Sequence, residues 1–245
     1  MNKFRLLATL LVVALCTTTI FTSCRNGDDD DNGNGAFEIR ATNVIAVDGS
    51  NIGRAATVRA VIWLRNDRTA IVGETPVQNN GFTLRLTNDV PEAAFESLSD
   101  DDWLDGFTVS DRNARWAFLD EGILAFNSGG NEIGEFWFGS PDEDADEGFY
   151  VFWIYADRNV TIRGTVREED NWGIWESRFD MNLRRGWNAV YEHWTWNEAT
   201  RTDIFRLTSQ RPSGATLRWY FWESDSRASR ATTRAAENRR SVFRR

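Results

Sequence analysis

Leu217-Arg218-Trp219-Tyr220-Phe221-Trp222 alternates strictly, with Leu217, Trp219 and Phe221 on one side and Arg218, Tyr220 and Trp222 on the other. That two-residue period belongs to an extended strand with two unlike faces. The same alternation runs back along the chain. In Tyr191 to Trp196 it sets Glu192, Trp194 and Trp196 against Tyr191, His193 and Thr195. From Phe37 onward, short runs rich in Val, Ile, Phe, Trp and Thr are separated by Gly, Asn and Asp, the pattern of successive strands. Strands are expected near 38–47, 56–64, 70–72, 82–86, 116–126, 132–138, 149–156, 160–167, 175–183, 188–196, 203–209 and 216–223. Asn79-Asn80-Gly81, Ser128-Gly129-Gly130-Asn131 and Asp157-Arg158-Asn159 are turn signals of the kind that join antiparallel neighbours. Helix is scarce, and Pro91 to Leu98 offers at most a turn or two. The expected fold is all-β, an antiparallel β-sandwich with a β-barrel as the alternative.

The 245 residues divide by composition. Lys3 and Arg5 precede an apolar run, Leu6 to Cys16, too short to span a bilayer as a finished helix, so residues 1–23 read as a signal peptide. Residues 24–36 are mostly Asp, Asn and Gly and read as a flexible tether. Beyond them come a β-unit over 37–90, an acidic connecting segment over 91–114 and a larger β-unit over 115–223. The last stretch, 224–245, carries seven arginines against Asp225 and Glu237 and reads as a disordered tail.

Composition excludes several chemistries. The formal charge of −9 becomes −11 once Lys3 and Arg5 leave with the signal, which argues against a nucleic-acid partner. Lys3 is the only lysine, His193 the only histidine, and Cys24 the only cysteine of the mature chain. A lysine Schiff base, a cysteine nucleophile and any site needing two histidines, the usual zinc sites among them, are therefore out of reach. No disulfide is available, so stability must come from packing.

Phe21-Thr22-Ser23-Cys24 resembles the lipobox of bacterial lipoproteins, and the Asp28 to Asp31 run resembles the acidic export signal of Bacteroidota surface lipoproteins. Asn182-Leu183-Arg184-Arg185-Gly186-Trp187-Asn188, the closing Leu217-Arg218-Trp219-Tyr220-Phe221, Gly81-Phe82-Thr83-Leu84 and Glu132-Ile133-Gly134 are similar to motifs in secreted Bacteroidota lipoproteins of unassigned function. The resemblance implies acylation of Cys24, anchoring in outer-membrane lipid and exposure at the cell surface. It carries no catalytic motif.

Twelve tryptophans, eight of them between Trp153 and Trp222, set the functional question. If the two mixed faces are neighbours and open, Trp194, Trp196, Tyr220 and Trp222 form an aromatic shelf for sugar rings, with Arg218 and Glu192 bonding the hydroxyls. If they are closed, the same residues make cross-strand pairs. Asp142, Asp144 and Asp146 alternate before a strand, as oxygen ligands for calcium would, but the glycine stands one position late and no bidentate glutamate closes the loop, so a solvated acidic loop is the favoured reading. His193 reads as a hydrogen-bonded or interfacial residue. The expected role is non-enzymatic binding of a glycan or another surface macromolecule. The alternatives are a structural or assembly protein of the cell envelope with protein partners, and a carbohydrate-active enzyme using an Asp/Glu pair.

Overall fold

The alternating runs pair into sheets in a computed structural model that describes residues 36–224, apart from 48, 66–67, 100–103, 120–121, 141–145 and 170–172. The strands are β1 (Phe37–Ala41), β2 (Ile45–Ala46), β3 (Thr57–Leu64), β4 (Arg68–Pro76), β5 (Phe82–Leu86), β6 (Glu96–Ser97), β7 (Thr108–Val109) and β8 (Arg115–Phe118). They continue as β9 (Ile123–Phe126), β10 (Glu132–Gly139), β11 (Glu147–Ala156), β12 (Val160–Glu169), β13 (Ile174–Leu183), β14 (Gly186–Asn197), β15 (Thr202–Thr208) and β16 (Arg218–Glu223). Among the described residues, helical structure is confined to short 3-10 turns such as Ile52–Arg54 and Glu92–Ala94. The protein is all-β, with sandwich-like sheets and no closed barrel.

A fourteen-stranded sheet runs β4-β3-β9-β10-β11-β14-β15-β13-β12-β7, with β16 on the far edge of β10 and β1-β5 as a separate pair. It forks at Trp137. Residues 134–136 of β10 pair with β9, residues 138–139 pair with β11 on the same edge, and β16 takes the other. The fork explains why 116–126, expected as one strand, is two: β8 pairs with β11 and β9 with β10. Leu119, just after β8, still donates its N–H to Trp153 O on β11 at 3.0 Å.

Between the branches lies the larger core. Ile39, Leu84 and Leu86 from the first β-unit meet Phe136, Phe138, Trp153, Tyr191, Trp219 and Phe221 from the second. Trp219 is central, stacked on Trp153 (5.9 Å, 6°) and Phe138 (5.0 Å, 22°) and edge-on to Phe82 (5.3 Å). Its indole N–H donates to Arg40 O at 2.9 Å, so one side chain ties the β1-β5 pair to both branches.

A second core forms on the opposite face of β11 and β14, from Phe152, Ile154, Ala156, Ile162, Phe179, Met181, Leu183, Val190 and Leu207. Leu98, Leu104, Phe107 and Ala114 of the connecting segment cover it. The sheet curls around this core, and chain length requires it. In sheet order β12 stands four places from β11, roughly 19 Å if flat, whereas the three-residue link 157–159 reaches only about 14 Å. Asp157-Arg158-Asn159 therefore bridges the rim of a trough instead of joining ladder neighbours, which corrects the hairpin expectation at that turn.

The sheet is also mixed, because β13-β15 and β16-β2 pair parallel. β13 and β14, joined by the Arg184-Arg185 turn, stand apart with β15 inserted between them. Asn188 holds that turn closed. Its amide donates to Arg184 O (2.7 Å) and Gly186 O (2.8 Å) and accepts from Arg184 N–H (2.9 Å). Gly186 adopts φ 101°, a conformation only glycine takes cheaply, and Trp187 then turns into the larger core, its N–H on Thr87 O at 2.8 Å.

Candidate functional site

The trough has two ends. At the 157–159 and 184–186 end, polar groups lace the rim: Asp157 accepts from the backbone N–H (2.9 Å) and Nε (3.1 Å) of Arg115, and Asn159 Oδ1 accepts from Arg185 N–H (2.8 Å). Burial by itself raises the Asp157 carboxyl, yet the bonds from Arg158 and Arg115 hold it below the usual carboxylate range. At the other end the strands outrun the smaller core.

There the same inner-face alternation continues past Val166, the last aliphatic side chain of β12 packed against that core. Opposite residues of paired strands share a face, so register builds the surface directly. Trp194 stands between Gly148 on β11 and Phe205 on β15, and Phe205 is level with Ser177 on β13. One row further out, Trp196 is level with Asp203, then Trp175, then Glu168 on β12. One row further in, Tyr150, Glu192 and Leu207 align. Trp175 and Phe205 lie parallel at 5.7 Å, 3° between planes. Trp175, Trp194, Trp196, Phe205 and Tyr150 are all half-buried, so each keeps part of its ring open.

Gly148 makes room for this surface: a methyl there would overlap the Trp194 indole, which lies across β11. Asp203 sits between two tryptophans. Burial raises its carboxyl above the ordinary carboxylate range, and it has no hydrogen-bond or ion-pair partner among the described residues. An aromatic row with a carboxylate that has no partner among the described residues can stack on apolar ring faces and accept hydrogen bonds from their substituents.

The expected shelf is divided by this register. Trp194, Trp196 and Glu192 share the mouth of the trough, Glu192 being buried at 4 % exposure. Arg218 is level with Gly139, Tyr150 and Glu192, so β16 presents the same face. Tyr220 and Trp222, however, extend away from the mouth, past the fork. Tyr220 lies three strands across and about four residues along from Trp194, on the order of 20 Å. Tyr220 stacks on Trp137 (4.5 Å, 25°), and both it and Trp222 are buried. Burial pushes the Tyr220 phenol above its usual range.

His193 points to the opposite face, stacked on Phe149 (4.3 Å, 7°) with Nε2 bonded to Glu147 Oε1 at 2.6 Å. Asp146 is exposed, and its carbonyl accepts from Trp196 N–H at 2.7 Å. Asp142 and Asp144, like Cys24, lie outside the described residues. Among the described residues no three of His, Cys, Asp and Glu gather as a metal site.

Sequence reasoning missed Trp175, Phe205, Asp203, Tyr150 and Gly148 as members of the site. Trp175-Ser177-Phe179 and Asp203-Phe205-Leu207 carry the right alternation, but nothing local announces that β15 enters between β13 and β14. No family model matches the chain, and neither does any curated protein or solved structure.

Proposed function

We propose that this protein is a lipid-anchored cell-surface protein that binds a glycan, without chemistry, at the mouth of the trough. The row Trp196–Asp203–Trp175 carries the reading: two half-open indoles flank an unpartnered carboxylate at the level where the core ends. Sugar rings stack their C–H faces on indole, and a carboxylate between the stacks accepts from their hydroxyls. Asp203 and Glu168 flank Trp175 instead of facing each other, an arrangement for stacking more than for the opposed acids of glycoside hydrolysis. The anchor rests on Cys24, where acyl chains contribute about 0.8 kcal/mol per buried CH₂ and leave the body free to present its mouth outward.

Titration of the mature protein with a panel of oligosaccharides, read by tryptophan fluorescence and calorimetry, tests the binding. Saturable binding abolished by Trp196→Ala and Trp175→Ala is expected. Silence across the panel, with an envelope protein co-purifying instead, overturns the reading in favour of an assembly role. Cys24→Ala should release the protein from membranes, and protease added to intact cells should degrade the unaltered form.

A further inference from the structure

The five strands of the trough sort their charges by face. Their arginines, Arg163 and Arg167 on β12, Arg178 on β13 and Arg206 on β15, stand at outer-face positions, and β11 and β14 have none. Register confirms the side: Arg163 pairs opposite Asp180, Arg167 opposite Glu176, and Arg206 opposite His193. Arg163 is bonded to Asp180 (3.0 Å) and Arg178 to Glu176, all away from the trough. The inner face carries Glu192, Asp203 and Glu168 and no basic side chain from these strands. Arg218 on β16 presents the same face three strands from Glu192, and Arg201 lies in the turn at the rim.

Resting on the glycan reading above, we infer that the mouth selects a saccharide bearing a free, protonated amino group over neutral or acidic sugars. Indole faces attract a cation through the ring quadrupole as well as stacking on C–H groups. Asp203, lodged between Trp196 and Trp175, is the counter-charge at the level of those rings. An ammonium on a stacked ring supplies the donor that this carboxylate lacks, and a charge-assisted bond is about twice as strong as a neutral one. A uronate would instead set its carboxylate against Asp203 and Glu168, with no inner-face guanidinium on the trough strands to receive it.

The test compares three probes of equal length on the mature protein: a glucosamine oligosaccharide, its N-acetylated counterpart and an oligouronate. The amine form should bind tighter than the N-acetylated form by about tenfold or more, with the gap shrinking as salt rises. The uronate should be weakest. Asp203→Asn should bring the ratio of the two hexosamine affinities toward one, and Glu168→Gln should reduce it less; thermal melts of both variants establish that they are folded. Equal or tighter binding of the N-acetylated probe, or an unchanged ratio in Asp203→Asn, overturns the inference and leaves glycan binding standing. If none of the three probes binds while neutral glycans of the wider panel do, the selection is likewise refuted. If no glycan binds, the functional reading itself falls.

Discussion

The two ends of the trough are made from the same strands and the same alternation, yet one is finished and the other is not. Near the 157–159 link, inner-face residues Leu183, Met181, Ile162 and Ile154 are all at 0 % exposure, and the rim carboxylate Asp157 is bonded by two arginines. Toward 196 and 175 the inner-face residues turn aromatic, stay partly exposed, and flank a carboxylate with no partner among the described residues. A sheet face is thus a core wherever something covers it and a binding surface wherever the cover stops. The connecting segment, through Leu98, Leu104 and Phe107, decides where that line falls.

The comparison breaks most visibly through stability. Leu183→Ala at the closed end should cost about 2–5 kcal/mol, because a fully buried side chain is lost and a cavity left, read from urea midpoints. Phe205→Ala, in the open row, should cost less, about 1–2 kcal/mol, since its ring is only partly buried. Equal costs at the two positions would erase the distinction.

Asp157→Ala should cost about 2 kcal/mol at neutral pH through lost charge-assisted bonds. Its carboxyl is held down in the folded state, so this stabilisation is present above the unfolded value of about 3.9 and is lost as pH falls through the lower folded value. Asp203 behaves oppositely. Its folded carboxyl is raised, so stability is greatest below the unfolded value and declines as pH rises through the folded one. Asp203→Asn should therefore stabilise the protein modestly at neutral pH, a gain that vanishes in acid, while the Asp157 variant is the less stable one. Melting temperatures from about pH 3 to 8 check both signs. The smallest effect is expected at Gly148→Ala, which should leave the fold intact and alter the tryptophan emission as Trp194 is displaced.

Most strand positions are legible in the sequence to within a few residues, because burial on one face leaves a two-residue period, although 38–47 and 116–126 each divide in two and the short β6 and β7 carry no such signal. The placing of Trp194 and Trp196 beside Glu192 followed from that period alone. Tyr220 and Trp222 share the face of Arg218, but both are buried, and separating them from Trp194 requires knowing that β10 and β11 part after Gly139 and Phe138 run out of shared ladder. Trp175, Phe205 and Asp203 were hidden for a related reason. The turn Asn182 to Asn188 looks like an ordinary hairpin, and only tertiary pairing shows β15 between its arms. Strand identity is local information, whereas strand order is settled by long-range competition for edges.

That inserted strand bears on how the chain is made. During synthesis β13 emerges well before β15, so its bonding edge has no native neighbour until the β14-β15 hairpin exists. A naked edge of this kind invites pairing with other chains. Arg178 and Asp180, on the outer side of β13, put charge along the waiting strand and discourage a stranger from completing it first.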